Sequence, residues 1–127
     1  MNRRQAREKI LQVLFQINVN RHHPDDVIAT FLGNQDTKDA FIKKMVHGVY
    51  DHIEDIDQLI EKNLEHWRFD RIAAVEKTVL RMAFYELLFL KETPIAVVIH
   101  ESVELAKKYG DEQSGKFING VLSKLNE

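Results

Sequence analysis

Four cations, Arg3, Arg4, Arg7 and Lys9, stand against one acid, Glu8, within the first nine residues. Arginine suits phosphate because its guanidinium stays charged and donates paired hydrogen bonds in a planar fork. At about 100° per residue, a helix puts Arg4, Arg7, Glu8, Leu11 and Phe15 on one flank. Phe15 then lies about two turns beyond the arginines, placed to stack on an unpaired base or to meet a protein. A solvated basic helix end with a half-buried Phe accounts for the spacing equally well. Further along, Lys77 and Arg81 share a narrow face at i and i+4, and Lys116 and Lys124 edge the last helix. Arg7 and Arg81 read as surface forks whose removal leaves the fold intact.

Catalytic chemistry has few candidates. There is no phosphate-cradling Gly-rich loop, no Gly-x-Ser-x-Gly elbow and no His-Glu-x-x-His pair. The absence of Cys excludes a thiolate nucleophile, a Cys-ligated metal and a disulfide framework, and it suits a reducing cytoplasm. Among six His, the pair His22-His23 with Asp25 and Asp26 is the best metal cluster, and His47 with Asp51 is a second. Adjacent His residues beside Pro24 do not both aim easily at one ion, and neither group supplies a closed ligand set, so a solvated loop and a surface helix are the favoured readings. The run Glu54, Asp55, Asp57, Glu61 reads as a solvated helix face rather than an acid–base pair. Glu86, on the apolar side of a helix, reads as a buried structural acceptor bonded to an Arg or to backbone N–H groups. No catalytic, cofactor-binding or metal-binding residue is assigned.

The elements that must position these residues are helices. Ala6, Ile10, Val13, Leu14 and Ile17 form a core stripe on a first helix over 2–18. A short second helix runs from about Asp25 to Leu32 and stops at Gly33-Asn34. Asp36 is the N-cap candidate for a third, with Asp39 in its first turn. Its apolar spacing continues to about residue 65, with a break expected near Asp51–Asp55. His66 to Asp70 is a connecting turn anchored by Trp67 and Phe69. Ile72 to Leu90 is apolar almost all round and reads as a central helix with the most protected amides. Thr93 as N-cap with Pro94 at the first helical position opens a helix that Gly110 terminates at Tyr109, with Ile95, Val98, Ile99, Ser102, Ala106 and Tyr109 facing the core. A last helix starts between Asp111 and Ser114, burying Phe117, Ile118, Val121, Leu122 and Leu125.

Composition agrees. The 127 residues are 44% hydrophobic and 30% charged, with five Gly and two Pro. So few chain breakers point to long helices rather than a β-sandwich. No apolar run approaches the ~18 residues of a membrane span, and no signal core opens the chain. The net charge of −2 removes a generally basic nucleic-acid coat but leaves room for a local basic patch. The expected protein is a single all-α, intracellular domain of about seven helices.

Several blocks, taken in order, resemble the bacterial transcription antitermination factor NusB family. They are Arg3-Arg4-Gln5-Ala6-Arg7-Glu8 with Leu11-Gln12-Val13-Leu14-Phe15-Gln16, Val75-Glu76-Lys77, Leu80-Arg81-Met82-Ala83-Phe84-Tyr85-Glu86-Leu87, Pro94, Glu101 to Lys107, and Lys116-Phe117-Ile118-Asn119-Gly120-Val121-Leu122. The chain has His100 where the family usually has Asn. The resemblance implies two packed three-helix bundles with one further helix, an N-terminal bundle over about 1–52 and a C-terminal one over about 53–127. It implies no catalysis and no cofactor. It implies binding to the single-stranded boxA segment of nascent RNA together with NusE, also a small-subunit ribosomal protein. The consequence is read-through by the RNA polymerase elongation complex, notably in ribosomal RNA operons, in the cytoplasm and away from any membrane. A homodimer covering the RNA surface is a further state implied. By position, Arg3, Arg4 and Arg7 match the family's RNA-binding start, and Lys77, Arg81 and Lys116 match cations of the later helices. Phe15 matches an aromatic, commonly Tyr, near both RNA and NusE, and Glu76 matches an acid of the protein contact. Phe117 and Asn119 carry no settled role. A NusB-like module of the kind fused to ribosomal RNA methyltransferases is the other RNA-binding reading. A helical scaffold binding only proteins is the reading from another class, and a metal enzyme using His22, His23, His47 or His52 ranks behind both.

Overall fold

Each apolar run at helical spacing becomes a helix in the computed structural model: α1 (Arg3–Asn20), α2 (Pro24–Asp36), α3 (Ala40–Asp51), α4 (Ile53–Lys62), α5 (Ala74–Tyr85), α6 (Ile95–Tyr109) and α7 (Glu112–Ser123). Turns of 3-10 helix occupy Phe69–Arg71 and Lys124–Asn126. The structure describes residues 1–20, 23–36 and 39–126. Among them there is no strand, and the fold is all-α as expected. No described helix is long and apolar enough to cross a membrane. By its internal contacts the chain divides into two units, Met1–His52 and Ile53–Glu127.

In the first unit α1, α2 and α3 pack on one another. The expected stripe of α1 is buried, together with Val27 and Ile28 of α2 and Phe41, Ile42, Met45, Val46 and Val49 of α3. The flank of α1 departs from expectation, because Arg7 and Leu11 are also buried, at 5% and 3% exposure. The Arg3 guanidinium sits 3.9 Å from the centroid of the Phe41 ring, and that of Arg7 sits 5.3 Å away. A helical wheel counts only its own helix. It does not show that α3 offers an aromatic face on which a weakly hydrated cation can rest.

Two boundaries also shift. The backbone of α2 stays helical through Gly33 and Asn34 to Asp36. Asp39 rather than Asp36 caps α3, its Oδ1 accepting from the Ile42 N–H at 3.0 Å. A helical Gly costs only about 1 kcal/mol, so it need not end a helix. The expected break falls at His52, whose N–H donates to the Gly48 carbonyl at 3.1 Å and closes α3.

In the second unit α5 packs against α4, α6 and α7, with Thr78, Val79, Leu80, Met82, Ala83 and Phe84 buried. The buried Thr78 hydroxyl donates to the Ala74 carbonyl at 2.8 Å. The helix is shorter than its apolar run. Ile72 is buried in the preceding turn, and Glu86–Leu90 widen into a π-turn closed by Lys91 in the left-handed region, φ 56°. The wider turn stacks Tyr85 and Phe89 at 5.6 Å, leaves Leu87 and Leu90 half-buried and exposes Leu88. Glu86 is buried as expected, and no buried side-chain N or O lacks a partner among the described residues.

The cap of α6 moves by one residue. Pro94, with extended ψ of 142°, is itself the N-cap, and its carbonyl accepts from Val97 and Val98. Ile95, expected in the core, is consequently exposed, and Leu105 is buried instead. Gly110 terminates α6 as expected. A Cβ there would stand 2.8 Å from the Ala106 carbonyl oxygen, too close for any side chain.

Arg7→Ala is therefore expected to lower the free energy of unfolding by about 1–3 kcal/mol, through lost cation–ring attraction and buried hydrogen bonding. Arg4→Ala, at an exposed position, should change it by no more than about 1 kcal/mol. Urea unfolding of both variants, compared at equal m-value, separates the buried arginine from the exposed one.

Candidate nucleic-acid and partner interface

In the second unit a cleft of about 420 Å3 is lined by Trp67, Arg71, Ile72, Glu76, Gln113, Lys116 and Phe117. A smaller one of about 200 Å3 shares Trp67, Lys116 and Phe117 and continues to Asn63, Gly120 and Lys124. For the larger cleft the α4–α5 connection supplies Trp67, Arg71 and Ile72, the first turn of α5 supplies Glu76, and α7 supplies Gln113, Lys116 and Phe117. The connection is held at several points. The Lys124 ammonium donates to the Asn63 carbonyl at 3.2 Å and pairs with Glu65 at 3.4 Å, while the Ile72 side chain is buried at the far end.

Helix α7 is seated by Ser114, Gly115, Ile118, Val121 and Leu122, all buried. Gly115 permits close approach to α6, since a Cβ there would lie 2.7 Å from Lys107 Cγ. Asp111 caps the helix, its Oδ1 accepting from the Ser114 N–H at 2.8 Å, and that hydrogen bond holds its carboxyl below the usual carboxylate range. So seated, α7 exposes Lys116 and directs the half-buried Phe117 at Trp67, ring centroids 6.0 Å apart at 76°. Phe117 is not fully core, and Trp67 is no buried anchor of the turn, being 61% exposed.

Two other cations of this unit, Lys77 and Arg81, are engaged in packing. Arg81 donates from Nε to Asp57 Oδ1 at 2.8 Å and from Nη2 to Oδ2 at 2.9 Å, with only 14% and 26% of the two side chains exposed. Lys77 Nζ and the Arg81 guanidinium each lie 5.3 Å from the Phe69 ring. Arg81 is therefore not a free surface fork, and Asp57 is not part of a solvated acidic face. Deleting Arg81 strands a largely buried carboxylate, so the expectation that the fold survives its loss unchanged is corrected. Lys116, by contrast, is exposed and has no ion-pair partner among the described residues.

Of the residues singled out in this unit, Glu76 and Lys116 share the larger cleft, while Lys77 and Arg81 gather around Phe69. In the first unit Arg3 and Arg4 are exposed, Arg7 is buried, and Phe15 is half-buried and off the core stripe. Sequence marked Trp67 only as an anchor of the turn, and did not single out Arg71 or Gln113. The available signal was a lone Trp just ahead of Arg68 and Arg71 in a breaker-poor chain, but a turn aromatic reads the same whether it points inward or outward.

The metal candidates do not assemble. His47 Nε2 pairs with Asp25 Oδ1 at 2.7 Å rather than with Asp51, and His23 Nδ1 accepts from the Asp25 N–H at 3.2 Å. His52 directs Nδ1 at its own helix, 3.0 Å from the Gly48 carbonyl oxygen. His22 lies outside the described residues, and among those described no three His, Cys, Asp or Glu could hold an ion.

Arg81→Ala should destabilise the protein by about 2 kcal/mol. Adding Asp57→Ala should recover part of that loss, giving a coupling of about 1–2 kcal/mol in a double-mutant cycle. The lowered Asp111 pKa has a pH signature. Its ionised form is favoured in the folded state, so its contribution is present above the unfolded value of about 3.9 and is lost as pH falls through the lower folded value. Thermal melts between pH 5 and pH 2 should therefore fall more steeply for the wild type than for Asp111→Asn.

Comparison with known proteins places this arrangement. The chain matches the NusB family over residues 4–127. It is 49% identical over 125 residues to the transcription antitermination protein NusB of Geobacillus kaustophilus, covering 98% of this chain and 95% of that one. It is 44% identical to the protein of the same name from Bacillus subtilis, at 98% and 95% coverage. The solved structure of T. maritima NusB superimposes with a TM-score of 0.89 at 36% identity, covering 98% of this chain and 90% of that one. A chain in the crystal structure of antitermination factors NusB and NusE in complex with dsRNA does so with a TM-score of 0.85 at 37% identity, covering 97% and 94%. The family is one of non-catalytic transcription antitermination factors. Likeness at this level in both sequence and fold means that the chain belongs to the NusB family.

Proposed function

We propose that this protein binds boxA-type RNA together with NusE and thereby promotes read-through by RNA polymerase, notably in ribosomal RNA operons, in the cytoplasm. The observation that carries the reading is the near-complete match to a chain of a NusB–NusE–RNA complex. The function is to hold, with no bond made or broken. Exposed Arg4 on α1 and exposed Lys116 on α7 are phosphate contacts, and Arg3, exposed but lying 3.9 Å from the Phe41 ring centroid, joins them by turning away from that ring. Lys77 contributes positive charge beside Phe69, while Arg81, its charge matched by Asp57, organises that ring. Phe15 and Glu76, both half-buried, are the residues for NusE, with Phe15 also within reach of a base.

Charge explains why a partner is needed. RNA affinity grows with the number of phosphates neutralised, and a chain of net charge −2 with few open cations neutralises few. NusE adds its own contacts to the same RNA. The solved complex holds double-stranded RNA, whereas arginine beside an aromatic suits unpaired bases. Single-stranded and duplex forms of one sequence are therefore competing ligands in the test.

Filter binding of boxA RNA with and without NusE should show tight, salt-sensitive binding only in the presence of both proteins. Arg4→Ala and Lys116→Ala should each weaken it and make the log–log salt slope shallower by something under one unit, the single-strand value being about 0.7 per contact. RNA affinity that NusE does not change, and that neither substitution lowers, would overturn the reading.

A further inference from the structure

Trp67 is the one tryptophan of the chain and is 61% exposed. Aromatic side chains normally stabilise a fold by burying their rings. Here the Trp67 ring meets Phe117 edge-on at 6.0 Å and 76°, and most of the indole is open. Its surroundings are cationic. Exposed Arg71 and Lys116 share the larger cleft with it, against Glu76. In the smaller cleft the acid Glu65 is already paired with Lys124. A volume of about 420 Å3 lies within the ~300–1,000 Å3 range of sites for small organic groups. Open aromatic surface between cations that have no ion-pair partner among the described residues suits a flat, electron-rich ring joined to phosphate. It does not suit an apolar peptide, for which the only further apolar lining is Ile72, itself buried, and Phe117.

We propose that Trp67 is a stacking platform for one unpaired RNA base, with Lys116 and Arg71 holding the phosphates on either side of that nucleotide. This rests on the RNA-binding reading above and adds the contact through which an unpaired nucleotide is preferred to a base pair, since a base inside a duplex cannot present a free face to the ring.

Because Trp67 is the only tryptophan, its fluorescence reports on this cleft alone. Full-length protein is titrated with a short single-stranded boxA RNA in the presence of NusE, and Trp67→Phe protein supplies the background. The expected result is quenching of the indole emission that saturates with the binding curve, and markedly less quenching by the duplex form. Trp67→Ala should weaken binding by about five- to hundred-fold, the range of one lost base stack, while Trp67→Phe stays within about threefold. The quenching is read on the wild type and so does not depend on how any variant folds. Unchanged emission, with normal binding by Trp67→Ala and weakened binding by Lys116→Ala, would overturn the stacking proposal and leave RNA binding standing. Emission that responds to NusE alone and not further to RNA would overturn it in favour of a protein contact. A wild-type protein that binds no RNA beside NusE would remove both readings.

Discussion

Arg81 reaches from α5 and donates two hydrogen bonds to the Asp57 carboxylate on α4. Both side chains are mostly buried, where charge is tolerated only if its hydrogen bonds are complete. Two parallel bonds fix the angle between partners in a way that apolar contact does not. The two helices so joined bracket the connection over 63–73, and Phe69 of that connection lies against Lys77 and Arg81. The segment carrying Trp67 and Arg71 is thus clamped at its start by Lys124, in its middle by Phe69 and at its end by buried Ile72. An exposed ring can serve as a fixed surface only because the chain on both sides of it is held.

Periodicity revealed what depends on a single helix. The stripe of α1, the buried run of α5, the break near residue 52, the stop at Gly110 and the cap near Asp111 all follow from spacing and from local hydrogen-bonding groups. What remained hidden depends on a second element. Arg7 and Leu11 sit on a flank that the wheel assigns to solvent, yet both are buried, and Phe41 of α3 lies beside the Arg7 guanidinium. The π-turn at Glu86–Leu90 departs from the 100° step on which the wheel is built. The caps of α3 and α6 moved because Asp36 and Asp39, or Thr93 and Pro94, are alternatives that composition alone does not rank.

The cations show the same limit more sharply. Arg3, Arg7 and Arg81 each lie against an aromatic ring, and Arg81 also holds a carboxylate. Guanidinium is planar and weakly hydrated, which fits it to rings and to buried carboxylates, whereas the compact ammonium of lysine keeps its water. A count of basic residues therefore overstates the open positive surface, and most so where the residues are arginines. Lys116 remains exposed on the same helix that carries Phe117.

This division bears on how such a surface could hold RNA. Phosphate contacts release counterions, so their contribution fades steeply as salt rises. Base stacking releases none, and its contribution is nearly independent of salt. A surface with few open cations gains little from phosphate at physiological ionic strength, and the balance must come from stacking or from a second protein that brings its own charge. On the RNA-binding reading both are required. An arginine packed inside the fold cannot also grip phosphate, and the exposed indole can face a base only while Arg81, against Phe69, keeps its loop in place.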